Sequence, residues 1–557
     1  DTHAFSDVQR AERADLVSIQ ELVALYRGEL LPEFRYEPWA ANFREMFRAR
    51  WHSLSLLLAQ RLSDSTDAAA CRHLQNVLRD DGTQEEAARL LMTLLSRQGR
   101  RAEALDVYRR LVRSLDVELR VAPDRLSSAL AKQLGSDDSI GTPASAPREM
   151  ARRLQEQIEH LAQQRGPETA RRITRLSGHR ALALDRLGRS QEALTLIEGA
   201  QLAAVEGGQT AELARLLVAK AQVYQRQGHS GLAENAASEG QRLAEQTGER
   251  GLVAWSQRLR AQAAQHMGDG EKAIGLARSS TSLYLNMGLP AEALRSRRIV
   301  ALTVWYSGRH REAETLYRQD LEEARTLLDL EQQAYILCGL GSALRALGSL
   351  DSAQTHLLEA LALATRLEEH FLILSVEYHL ANLWVDRADT LQPVQSLAVQ
   401  RAREEAQRRF ERVMRLAQAS DSRYMLVFGA IDLAMSLAQW GRPAECHPLL
   451  QLAGETAAGL IDTMSPTGWI LLAEAEVAKA EGRAEFGLER VTRAIPLLSG
   501  AAPAGLSQAH RLAGTLQYAM NNRQEATTHW MSSLAAAAQC GQAVEELRTR
   551  RAMAAGP

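Results

Sequence analysis

Apolar side chains recur every three or four positions through most of this chain, a spacing that predicts amphipathic helices each burying one face. Before position 135 the clearest such runs are SIQELVALYR, EPWAANFREMFRARWHSLSLLLAQRL, TQEEAARLLMTLLSRQ and RAEALDVYRRLVRSLDVEL. After position 147 the runs become periodic. Gly188, Gly228, Gly268, Gly308 and Gly348 recur at one fixed interval, and each is followed five positions later by alanine: Ala193, Ala233, Ala273, Ala313 and Ala353. Seven positions before each glycine stands a small residue, Ala181, Ala221, Ala261, Ala301 or Gly341. Four before it a larger one occurs in Leu184, Tyr224, Val304 and Leu344. The small residue lets two helices approach, the large one fills the space between hairpins, and the glycine supplies a turn. The expected fold is all-α, an α-solenoid of helical hairpins with a period of about 40 residues.

Further turns are expected at Ala388, Gly441, Gly482 and Asn521, and an earlier hairpin is marked by Gly99 and Ala104. The step from 388 to 441 exceeds the period. The excess is assigned to LQPVQSLAVQRAR, 391–403, where Pro393 opposes a regular helix. The segment reads as an inserted loop, with a lid over the groove or a dimer contact as the functional alternative. GSDDSIGTPASAP, 135–147, lacks packing residues and reads as a linker. The predicted organisation is therefore a helical domain over 1–134, the linker, and a repeat array over 148–557.

Composition narrows the function. The helix-forming residues Ala, Leu, Arg, Glu and Gln dominate, and aromatics are only 5% of the 557 residues. Lysine occurs only at 132, 220, 272 and 479, so nearly all 66 basic residues are arginines, balanced by 68 acids. A net charge of −2 provides no overall field for DNA or an anionic membrane. Cys71, Cys338, Cys446 and Cys540 are too scattered for a zinc or disulfide framework. No apolar run is long enough to span a membrane, and a cytoplasmic location is expected.

Residues 23 to 134 carry a more specific order. Tyr26-Arg27-Gly28 with Leu30-Leu31 is followed by Trp39 and an arginine-rich helix, then by Glu86-Ala87 and Arg89-Leu90-Leu91-Met92. Gly99, Glu103-Ala104-Leu105, Tyr108-Arg109-Arg110, Glu118-Leu119 and Pro123 complete it. This order resembles the bacterial transcriptional activator domain of the antibiotic regulatory proteins. The periodic units resemble tetratricopeptide repeats, whose usual period of about 34 is shorter, so six extra residues should lengthen the helices or the loops between hairpins. The first resemblance implies a winged-helix DNA-binding domain ahead of Asp1, since Asp1-Thr2-His3-Ala4-Phe5 fits the usual join, and DNA contact only through that domain. A nucleotide switch is not expected, because no G-x-x-x-x-G-K-[ST] loop is present to cradle phosphates.

No catalytic constellation is expected, and no cofactor. Glu368-Glu369-His370 and Cys446-His447 are the nearest approaches to one, and both read as helix-surface neighbours. Positions 13, 10, 6, 3 and 2 before each turn should line the concave groove. They hold Arg215, Gln222, Gln225, Arg226, Trp255, Arg258, Gln262, Gln265, His266, Arg295, Arg298, Trp305, Tyr306, Tyr335, Arg345, Tyr378 and Asn382, with acids nearly absent. Guanidinium forks and aromatic faces suit a peptide or acidic segment. The expected function is the non-enzymatic sensor portion of a bacterial transcription activator. Its repeat groove would bind a protein, peptide or small ligand, and its first domain would contact RNA polymerase or a second protomer. A tetratricopeptide adaptor that scaffolds protein complexes without a transcription role is the alternative.

Overall fold

The computed structural model describes residues 16–26, 38–62, 67–98, 100–135, 147–164, 166–327, 329–391, 396–458, 464–501 and 503–555. Among these there are helices and turns and no strand. The chain divides into two compact units, the first built on Asp1–Ser145 and the second on Ala146–Met287 with Ala291–Pro557. The segment 136–146 of the expected linker, Asp1 to Phe5 of the expected join, Arg27, Gly28, Leu30, Leu31, Gly99 and Pro393 lie outside the described residues.

The first unit contains α1 (Leu16–Leu25), α2 (Pro38–Leu62), α3 (Asp67–Asp80), α4 (Glu85–Arg97), α5 (Arg101–Ser114) and α6 (Arg125–Gly135). Its core is the stripe that the apolar spacing predicts: Ile19, Leu54, Leu58, Leu74, Met92, Leu94, Leu95 and Leu111 are all buried. Several motif residues are structural ties. Tyr26 stacks on Trp51 with ring centroids 5.1 Å apart. Arg89 donates to Asp124 at 2.5 Å, and Asp124 in turn accepts from the Ser127 N–H at 2.6 Å, fixing the start of α6. After α5 the chain adds a π-helical turn over Leu115–Leu119 and then turns at Arg120, whose φ is +57°.

The second unit begins with α7 (Pro147–Ala162), α8 (Pro167–Arg186), α9 (Ser190–Glu206), α10 (Thr210–Gln227), α11 (Ser230–Thr247), α12 (Arg250–His266) and α13 (Gly270–Asn286). It continues through α14 (Pro290–Tyr306), α15 (His310–Thr326), α16 (Leu330–Ala346), α17 (Leu350–Arg366) and α18 (His370–Thr390). It ends with α19 (Leu397–Ala419), α20 (Arg423–Gln439), α21 (Cys446–Ala457), α22 (Met464–Ala480), α23 (Ala484–Ala501), α24 (Leu506–Ala519), α25 (Arg523–Cys540) and α26 (Ala543–Ala554).

The extra length of each repeat goes into the helices. From α9 to α17 every helix has 17 or 18 residues and the turns between them are short. The turns between hairpins fall half a period after a turn glycine, at Gly208, Gly248, Gly288 and Glu368, so the underlying step is half the glycine period. All five turn glycines have φ between +77° and +87°. The small slot works as expected at Gly341, where a Cβ would stand 2.6 Å from Leu357 Cγ.

Two expectations are corrected. Ala388 is no turn: it is buried inside α18, which runs on to Thr390. The surplus beyond the regular period is also largely helical, because α18 has 21 residues and α19, beginning at Leu397, has 23. Within the expected insertion the chain is helical from Leu397 on, with Ser396 accepting the Val399 N–H as the helix cap. Val399, Ala402, Ala406 and Phe410 give the longer helix a buried stripe at helical spacing. The turns at Gly441, Gly482 and Asn521 are present, with φ of +80°, +75° and +66°.

Candidate functional site

Positions spaced three and four apart on one helix share a face, so the first helix of each hairpin presents a single row of side chains. On α10, α12, α14, α16 and α18 that row holds the arginines and aromatics that residue order assigns to the groove. The structure places these arginines, Arg298 excepted, against carboxylates. Arg226 donates to Glu369 at 2.7 Å and lies 3.3 Å from Asp185. Arg258 reaches Glu292 at 2.7 Å. Arg295 reaches Glu292 at 2.8 Å, Glu331 at 3.0 Å and Asp329 at 3.4 Å. Arg215 lies beside Glu212, which also accepts from Arg175 at 2.5 Å. Arg345 donates to Asp386 at 2.7 Å.

The neutral members of the row behave similarly. Tyr378 donates to Asp432 at 2.6 Å and Asn382 to the same carboxylate at 3.1 Å, while Gln225 bonds His266 Nδ1 at 3.0 Å. Trp255 is buried, its indole N–H without a partner. Trp305 packs edge-on to Tyr306 at 4.9 Å and to His379 at 6.1 Å. Tyr335 brings its hydroxyl to 3.5 Å from Glu369. Gln222 and Gln262 are half-buried on the same row.

The result is an interior of alternating charge rather than an open basic surface. The acids that complete it stand at other offsets, Glu212, Glu292, Asp329, Glu331 and Glu369 at helix starts and Asp185, Asp386 and Asp432 farther along their helices, and the same clock marks several of them. Asp329 and Glu369 are one period apart, and Glu212 and Glu292 are two. Burial pushes Asp185 up to about 6, with Arg226 and the Ser190 hydroxyl opposing it. Burial also raises Glu331, but the guanidiniums of Arg186, Arg295, Arg226 and Arg298 outweigh it and hold that carboxyl far below its ordinary value. Burial holds His266 neutral down to about 4 and His379 to about 3.

Some of these contacts join distant units of the array. Glu369 accepts from Arg226, 143 residues away, and from Arg186 at 2.7 Å, 183 residues away, which is about four units of the repeat. Farther along, His266 stacks on Tyr424 at 5.6 Å, and Arg548 of α26 donates to Asp386 at 2.9 Å and also pairs with Asp389. Backbone comes equally close: a Cβ on Gly308 would lie 2.5 Å from Cys540 Sγ. The repeat unit therefore coils back on itself, with Arg186, Arg226 and Arg548 in the seam, while Arg258, Arg295 and Arg345 pair within or between neighbouring hairpins. Arg186, Arg226 and Arg295 keep some exposure, 12%, 15% and 16%, so solvent still reaches their side chains.

The two clusters noted as possible chemistry are absorbed structurally. Glu369 is the junction just described. Cys446 donates to the Ala434 carbonyl at 3.1 Å and is buried, and His447 bonds Glu481 at 2.7 Å. Among the described residues no three His, Cys, Asp or Glu side chains converge as metal ligands, and no helix is long and apolar enough to cross a membrane.

Residues 4–134 match the family model of the bacterial transcriptional activator domain. No curated protein matches the chain. Among solved structures it is similar to a Rap protein complexed with competence and sporulation factor, at 12% identity and TM-score 0.43, over 71% of this chain and 99% of that one. It is also similar to aspartyl phosphate phosphatase F from Bacillus subtilis, at 12% identity and TM-score 0.37, over 68% and 94%. A third is the Cut9–Hcn1 hetero-tetramer of APC/C, at 12% identity and TM-score 0.46, over 96% and 94%.

Proposed function

We propose that this chain is the regulatory portion of a bacterial transcription activator and that it performs no chemical step. The observation that carries the reading is the family match over residues 4–134. The first unit would act on the transcription machinery, through RNA polymerase or a second protomer, and DNA would be contacted by a domain outside these residues. The repeat unit would be the sensing part, taking a protein, peptide or small ligand at its interior row.

The paired interior gives this reading a physical form. A ligand that binds there must replace carboxylates already bound to arginine, so it gains affinity only if the coil loosens or an unpaired group is available. Occupancy then shifts the balance between a closed and an opened coil, by no more than the ligand's difference in affinity for the two. The test is to fuse the full chain to a heterologous DNA-binding domain beside a weak bacterial promoter. Transcription should rise, and should change further when the seam is weakened by Glu369→Gln. No rise from either fusion would defeat the activator reading and leave the adaptor.

A further inference from the structure

One interior guanidinium differs from its neighbours. Arg186, Arg226, Arg258, Arg295 and Arg345 each have a carboxylate oxygen at 2.7 to 2.8 Å. Arg298 has a single hydrogen bond, from Nε to Gln332 Oε1 at 3.3 Å, and its guanidinium lies over the Tyr335 ring, 4.5 Å from the centroid. Among the described residues no carboxylate stands within ion-pair distance of it. Burial pushes its pKa down, and the nearby Arg258 adds to that, although Tyr335, Tyr317 and Glu331 oppose it. Its charge is the least compensated in the row.

Seven residues on along α14, about 10 Å at the rise of a helix, stands Trp305, whose indole N–H is buried without an acceptor among the described residues. Beside it, at 5.9 Å between centroids, is His310, which is 3% exposed with both ring nitrogens unpartnered. Buried polar groups are nearly always satisfied in folded proteins. Among the described residues, a cation lacking an anion on α14 therefore faces the aromatic surface of Tyr335, and seven residues on stand Trp305 and, at the start of α15, His310, two rings lacking hydrogen-bond partners.

We propose that the strip from Arg298 to Trp305 binds a small aromatic acid, with its carboxylate on the Arg298 fork and its ring against Tyr335. A polar group at the far end would accept from the Trp305 N–H. Such a ligand supplies an anion to Arg298 and an acceptor to the Trp305 N–H without displacing any existing carboxylate. The proposal rests on the repeat interior being the sensing surface, and it can fail independently of any role in transcription because binding is measured directly.

The experiment is calorimetric titration of the full chain with 6-hydroxy-2-naphthoate, whose carboxylate and hydroxyl lie at opposite ends of a rigid ring system, and with uncharged 2-naphthol. The acid should bind at least ten-fold more tightly than the naphthol. Arg298→Met should weaken the acid at least ten-fold, Arg298→Lys should retain part of the binding, and Arg311→Met, on the exposed face of α15, should leave it unchanged. Because Arg298 forms no ion pair, Arg298→Met should melt at or above the wild-type temperature. Absence of heat with the wild type, equal binding by Arg298→Met, or a Met variant that melts several degrees lower would each overturn the proposal. The last result would show that the guanidinium is needed for folding.

Discussion

Replacing Glu369 by glutamine should unfasten the coil at its most connected point. Glu369 is fully buried and accepts from both Arg186 and Arg226 at 2.7 Å, with the Tyr335 hydroxyl at 3.5 Å. Glutamine keeps the volume and one carbonyl acceptor, so the change removes charge rather than packing. Losing one partner of a buried ion pair costs about 3–5 kcal/mol. Here Arg186 keeps Glu331 at 3.6 Å and Arg226 keeps Asp185 at 3.3 Å, which places the effect near the lower end, about 3 kcal/mol. That is a large fraction of the ~5–15 kcal/mol by which folded domains are stable. Urea unfolding followed by helical signal should show an earlier midpoint. Amide exchange should accelerate at Leu187 to Ser190 and near Gly228, far from position 369 in the chain. Glu192→Gln, in an exposed pair with Arg189 three residues away, should change neither. If Glu369→Gln stayed within about 0.5 kcal/mol of wild type, the range of ordinary surface changes, the seam would not be held by this junction and the reasoning would be wrong.

Three further outcomes follow from the same geometry. Stability should fall on acidification from pH 7 to 5. His266, His310 and His379 are held near 4, 4 and 3, chiefly by burial, so only the unfolded chain takes up protons as pH drops through 6.5. Asp185 and Asp320, raised to about 6 chiefly by burial, act oppositely, gaining stability as pH falls below 6. The histidines prevail by about 3 kcal/mol at roughly 1.4 kcal/mol per pH unit for each group, and a midpoint that rises on acidification would reverse the assignment. Gly441→Ala should cost only about 1 kcal/mol of backbone strain, since its φ is +80° and nothing lies within 4 Å of an added Cβ. Gly308→Ala, with the same φ but Cys540 Sγ in the way, should cost about 1–3 kcal/mol more. Adding Cys540→Ala should restore most of that difference; no recovery in thermal unfolding would deny the contact between distant units.

Much of the fold was legible because its determinants are local. A turn glycine, a small residue seven positions earlier and an alanine five positions later act within one hairpin, so the regular clock translates directly into helices and turns. It failed at Ala388, where Ala402, Ala406 and Phe410 offered a longer buried stripe and the helices extended to use it. Within the candidate site, the row of Arg226, Arg258, Arg295 and Arg298 was legible from helical spacing. Its carboxylates were not, because they stand at other offsets and most enter the row from another helix once the hairpins stack.

Residue order by itself determined that this chain is helical, that its repeats step by a fixed length, and that residues 4–134 bear the sequence of an activator domain. These depend on side-chain periodicity and backbone preference, which act over a few residues. Only the tertiary structure decided that the coil returns on itself after about four units and brings Arg186 and Arg226 onto Glu369, 183 and 143 residues away. The angle at which one hairpin packs on the next is small and accumulates over units, so which charges meet across the seam is a property of the assembled array. Residue identity in turn leaves Arg298 as the one interior arginine of the row without a carboxylate among the described residues, because the slot that holds Glu292 against Arg258 holds Gln332 one period on.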